Sequence, residues 1–145
     1  MYPEILQRYN EAFKTVVPEI PNILGYLPTT LQAYPAMFSR AMGFTEHIAV
    51  RRVSRRYRIA HCLCFVFQDN EEAEREMGIY LDAVPNAVNL YQLRGGIVSS
   101  QGDTAGMAGI VSGDVMEIPV GNVSYLGIVF ISETLEKTGL PEIQL

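Results

Sequence analysis

VSYLGIVFIS, residues 123–132, constrains the fold more than any other stretch, because both of its alternating faces are apolar. Val123, Tyr125, Val129 and Ile131 fall on one side, and Leu126, Ile128 and Phe130 on the other. Successive side chains of a β-strand point to opposite faces, so a strand apolar on both belongs inside a sheet with material packed on each side. The runs before it, VNLYQLR, GIVSS, AGMAGIV and DVMEIP, are short and apolar as well. Gly95-Gly96, Gly102-Asp103, Gly113-Asp114 and Gly121-Asn122 punctuate them. Paired turn residues recurring every ~8–12 positions predict antiparallel strands joined by hairpins over residues 86–132, with a short helix or tail over 133–145.

The first 43 residues follow a different period. Ile5, Tyr9, Ala12, Phe13, Val16 and Val17 recur at helical spacing after Pro3, and Pro18 and Pro21 end that helix. A second helix is expected after Pro28, with Leu31, Tyr34, Phe38 and Ala41 on one side; Pro35 kinks or restarts it and Gly43 stops it. A third is expected over 69–84, where Asp69 and Glu72 have the spacing of a capping box. Ala73, Met77, Tyr80 and Leu81 form its stripe, and Pro85 closes it. Between the helices, residues 46–67 read as two strands, Ile48–Arg55 and Tyr57–Phe67. Continuing a helix through RIAHCLCFVF would leave it apolar all round. The fold class is therefore α+β: an antiparallel sheet of five or six strands, open or curled towards a barrel, with N-terminal helices and one middle helix packed on it. At 145 residues and 48% hydrophobic content the chain reads as one domain, residues 1–145, able to bury its own core.

On this reading His61 shares a face with Ile59, Leu63, Phe65 and Phe67. Cys62 and Cys64 lie opposite with Ala60 and Val66, where small side chains suit the close approach of a helix, the one starting at Asp69 being nearest in sequence. Two cysteines two residues apart form neither a disulfide framework nor a paired Cys-x-x-Cys unit, so both read as small buried hydrophobes. A lone histidine on an apolar face reads first as a core residue. If the chain has a general acid or base, the candidates are His61, Glu117 and Asp114, and no spacing selects among them. No Walker loop, Rossmann fingerprint, HExxH or GxSxG occurs, and two histidines do not make a histidine-rich metal centre. No metal or cofactor is expected.

The densest charge is VRRVSRRYR, in which Arg51, Arg52, Arg55, Arg56 and Arg58 supply five of the eleven cationic residues of a chain with net charge −5. The block reads first as a solvated face or a subunit contact; read as a site it is an anion site, since clustered guanidinium groups repel unless an anion relieves them and their forks match carboxylate and phosphate. Tyr34 and Tyr57 supply aromatic surface beside such an anion. The acids gather elsewhere, in Glu71, Glu72, Glu74 and Glu76 and towards the C-terminus.

Gly113, Pro119 and Gly121 resemble the second motif of the cupin family in spacing. Ser124 stands where that family has histidine and no HxH motif lies upstream, so the family's metal site does not carry over. Residues 23–64 resemble the carboxymuconolactone decarboxylase-like helical proteins in outline, without their Cys-x-x-Cys and following histidine; the strand-rich second half contradicts that fold.

The leading functional expectation is binding of a small, partly apolar anionic ligand in a pocket between sheet and helices, held by Arg52, Arg55, Arg56, Tyr34 and Tyr57. Whether chemistry follows binding is open. The second expectation is a homo-oligomer whose arginine-rich strand meets an acidic helix of a neighbour. The third, least favoured by the net charge, is single-stranded nucleic-acid binding. With no signal peptide or apolar span in the sequence, a cytoplasmic protein without a membrane partner is expected.

Overall fold

The computed structural model describes residues 2–31, 34–50, 52–66, 70–88, 97–98 and 104–139. Helix α1 (Tyr2–Val16) carries Glu4 in its first turn and Lys14 in its last, each favoured by the helix dipole, and buries Ile5, Tyr9, Ala12 and Phe13. Strand β1 (Asn22–Leu24) follows and runs parallel to the start of β2 (Ala36–Ala49). β2 and β3 (Arg52–Phe65) form a long antiparallel hairpin. Helix α2 (Asn70–Ala87) and the short strand β4 (Ile97–Val98) lead to a second long hairpin, β5 (Thr104–Val120) and β6 (Val123–Gly139). Gly121, with φ of 60°, sits in its two-residue turn, a left-handed backbone that glycine adopts without strain.

The six strands are ordered β1-β2-β3-β6-β5-β4, so β3 and β6 join the two hairpins at the centre of the sheet. β1 and β4 stand at the two edges, and the sheet is an open one. The expected central position of VSYLGIVFIS and the hairpin at Gly121-Asn122 are both present. The sheet is mixed rather than purely antiparallel, because β1 joins β2 in parallel.

Both helices cover one face of the sheet. Ile5, Tyr9 and Phe13 of α1 and Met77, Tyr80 and Val84 of α2 meet Met37, Ile59, Leu63, Ile128 and Phe130 in the main core. A smaller cluster, Phe38, Cys62, Cys64, Ile118 and Val120, lies on the other face; Leu24, Leu31, Tyr125 and Val129 border it. The helix expected near the cysteines is thus on the wrong side for them: α2 packs on the His61 face.

Five sequence expectations need correction. The second N-terminal helix does not form; residues 36–49 are β2, since backbone pairing along nearly all of β3 outweighs a short helical periodicity. Ile48–Arg55 is not one strand, because Ala49 pairs with Arg52 and the chain reverses between them. Gly113-Asp114 is not a turn but lies within β5, Gly113 opposite Phe130 and close under Leu81. Residues 133–139 continue β6 instead of forming a helix or tail, and α2 passes through Pro85 to Ala87. Gly95-Gly96, Gly102-Asp103, Phe67, Asp69 and residues 140–145 lie outside the described residues.

Candidate functional site

The three acid–base candidates are held apart. His61, on the central strand β3, is fully buried beneath α1, its ring 5.0 Å from that of Tyr9 and 4.9 Å edge-on from that of Phe13. Its Nδ1 lies 2.7 Å from Ser39 Oγ on β2, and its Nε2 2.8 Å from Ser132 Oγ on β6. Beside it the Tyr9 hydroxyl meets Thr134 Oγ1 at 2.9 Å. Burial pushes the imidazole pKa down to about 3, so His61 is neutral, one ring nitrogen donating and the other accepting. It ties three strands together and has no path to a solvent-borne substrate in this conformation. Asp114 is exposed on β5, paired with Val129 on the face of the sheet away from His61, and Glu117 is exposed three residues further along.

The pleat also divides the arginines. Arg55 points to the helix-bearing side: its Nη2 and Nε donate to Glu46 Oε1 at 2.7 and 3.0 Å, and its Nη1 donates to the Tyr57 hydroxyl at 3.1 Å. Its guanidinium also lies 4.7 Å over the Phe44 ring. Arg56 and Arg58 point the other way and share one carboxylate, each Nε 3.9 Å from Glu133. Arg52 pairs through its backbone with Ala49 and Gly139. Tyr57 is buried between Tyr2 and Phe44. Tyr34 is at the far end of the sheet, its hydroxyl 2.8 Å from that of Tyr125. Tyr125 lies nine strand positions from Tyr57 along the paired register, about 30 Å at the usual strand rise. The five residues expected to hold one ligand therefore do not converge.

A different constellation does. On the sheet face that carries no helix, a trough of about 340 Å³ crosses the four long strands. Ala60, Cys62 and Val129 of the central strands form its floor. Phe38, Arg40 and Met42 of β2 wall one side, and Met116, Glu117, Ile118 and Pro119 of β5 the other, so that of the three acid–base candidates only Glu117 borders the trough. The sequence accounts for the concavity. The central strands carry small residues on this face, including Gly127, where a Cβ would strike the Leu63 carbonyl and the Ile118 side chain. The flanking strands carry large ones. Met42 sits at a β-bulge between Ala41 and Gly43, and such an insertion re-aims a side chain. A second depression, of about 310 Å³, lies in the β1–β2 connection among Asn22, Tyr26, Thr29 and Thr30, and its lining is more polar.

Arg40 stands at the lip of the trough. Among the described residues no carboxylate lies within ion-pair distance of it, unlike Arg55, Arg56 and Arg58. Burial pushes the Cys62 thiol up to about 11 against the opposing pull of Arg40, and burial with the Cys62 neighbour pushes Cys64 up to about 12. Both are therefore unreactive thiols at neutral pH. No group of three or more His, Cys, Asp or Glu side chains able to hold a metal ion occurs among the described residues.

Sequence reasoning grouped Phe38 and Met42 with Tyr26 and Tyr34 as an edge that could wall a pocket, but missed Arg40 because the segment reads as helix, which scatters residues that a strand aligns. The available signal was the stripe Ala60, Cys62, Cys64: side chains that small mark a surface something else approaches. No protein-family model matches the chain, and no curated protein matches it.

Proposed function

We propose that the protein binds a small, partly apolar anion in the trough of the helix-free sheet face, its charge on Arg40 and its apolar body over Cys62, Ala60 and Val129. The observation that carries this reading is the Arg40 guanidinium at the edge of an apolar concavity, with no carboxylate within ion-pair distance among the described residues. A planar fork favours a carboxylate or phosphate, and methionines on both walls adapt to the ligand's outline. The volume is near the lower end of the ~300–1,000 Å³ usual for ligand pockets, which favours a molecule smaller than a nucleotide cofactor. The unpaired, buried cysteines suit a reducing, cytoplasmic compartment.

A panel of aromatic and medium-chain carboxylates and phosphate monoesters, scored by melting temperature and then by calorimetry, tests this. A ligand at about a hundredfold excess over its Kd stabilises the folded state by about 2.7 kcal/mol. The expected result is a saturable rise with one class, lost in Arg40→Gln, whose own unliganded melting temperature matches wild type. Equal binding by Arg40→Gln would move the site elsewhere.

A homo-oligomer is the second reading, and one feature favours it. β1 covers only Ala36–Phe38 of β2, so the outer edge of β2 beyond Phe38 has no neighbouring strand among the described residues. Sedimentation over a concentration series tests it.

A further inference from the structure

We infer that the end of the β2–β3 hairpin docks on an anionic lipid surface. Ala49 pairs with Arg52, and Val50 stands at the hairpin end with 92% of its surface exposed. Ile48 beside it is 68% exposed, and Phe44, further back on the same side, 55%. Single exposed hydrophobes are ordinary on a protein surface, but three at one end of one hairpin form a patch.

The surroundings of that patch specify the partner. Arg55, Arg56 and Arg58 lie behind it on β3, and the sequence adds Arg51 and Arg52 next to Val50. The acids in register there are Glu46 on Arg55, Glu133 shared by Arg56 and Arg58, and the buried Glu136. Among the described residues this end sets Arg55, Arg56 and Arg58 against three carboxylates in register, and the two further arginines that the sequence places after Val50 tip the balance to positive in a chain whose net charge is −5. The exposed acids Glu71, Glu74 and Asp82 are on α2, which packs through Tyr80 on Phe65, at the opposite end of β3. A molecule polarised in this way approaches an anionic surface with its hairpin end first. Exposed aliphatic residues at a hairpin end, followed in sequence by arginines, match the boundary between headgroups and acyl chains. They match nucleic acid less well, because Tyr57 is buried and Arg55 already covers one face of the Phe44 ring. A symmetric contact between two such ends would set arginine against arginine. No helix among the described residues is long and apolar enough to span a bilayer, so the contact is a peripheral one.

Co-sedimentation of the full chain with phosphatidylcholine vesicles, with and without about 30 mol % phosphatidylserine, tests this. Binding is expected only to the anionic vesicles and is expected to disappear in about 0.5 M NaCl. Ile48→Ser with Val50→Ser should weaken it by more than about fivefold, and Arg51→Gln with Arg52→Gln by at least as much. The chain has no tryptophan, so Val50→Trp gives an independent reading: its indole emission should shift to the blue on adding anionic vesicles. Four results with vesicles or on the oligomeric state would overturn the inference. They are no binding to anionic vesicles, full binding by the double serine variant, an unshifted emission from the Val50→Trp variant, and an oligomer that the serine variant dissolves. Tighter arginine-dependent binding to a single-stranded oligonucleotide than to vesicles would replace lipid with nucleic acid and also overturn it.

Discussion

At the scale of single residues, His61 shows how burial decides between catalysis and structure. A histidine beside two serine hydroxyls has the parts of a general base, but in this chain both serines serve to satisfy its ring nitrogens. The consequence is a pH dependence with a definite sign. In the unfolded chain the imidazole takes a proton near pH 6.5, whereas in the folded protein burial delays this to about 3. Stability from this residue is therefore complete above pH 6.5 and declines as the pH falls towards 3. Between pH 7.5 and 5.5 the loss is about 1.4 kcal/mol for one such group. Urea unfolding at the two pH values should show that loss in the wild type and show it removed in His61→Gln, whatever the variant's overall stability. An unchanged pH difference in the variant would mean that His61 is protonated in the fold.

At the scale of elements, β6 holds the structure together, because it joins both long hairpins and carries Ile128 and Phe130 into the main core. Ile128 is fully buried, and its truncation leaves a cavity among Leu63, Met37 and the helices. Ile128→Ala should cost about 2–5 kcal/mol in chemical denaturation. A loss below about 1 kcal/mol would mean that the neighbours collapse into the space or that the strand is more open than described. This element was legible in the sequence because two alternating apolar faces have few other uses. α1 and α2 were legible too, from spacing, capping and first-turn acids that agree with one another. β2 was not. Its exposed half carries Met42, Phe44 and Ile48 without a polar alternation to mark it, and Leu31, Tyr34, Phe38 and Ala41 imitate a helix. What makes it a strand is β3, a partner that local periodicity does not reveal. The same gap hid the candidate site, since Arg40 joins Cys62 and Met116 only once the register is known. Likewise the arginine block looked like one cluster in sequence, and the strand pleat sends Arg55 to one face and Arg56 and Arg58 to the other.

At the scale of the whole molecule, the sheet separates three regions. One face is sealed by helices and holds the core. The other is a trough with a cation at its lip. The hairpin end is apolar and arginine-rich. β2 connects the last two: Arg40 lies on it and Val50 just past its end, ten residues and about 30 Å away at the strand rise, with the bulge at Met42 between them. Sites that far apart with no shared partner act additively, within about 0.5 kcal/mol, unless a two-state element links them. The irregularity along that path is the bulge, and Gly43, at φ 125°, is free to change there. If β2 is rigid, Ile48→Ser with Val50→Ser should leave anion binding at the trough within about twofold of wild type by calorimetry. Saturating the trough should likewise leave vesicle binding unmoved. A coupling above about 1 kcal/mol would point to the bulge as a hinge, and Gly43→Ala, which opposes that φ, should then change both affinities together.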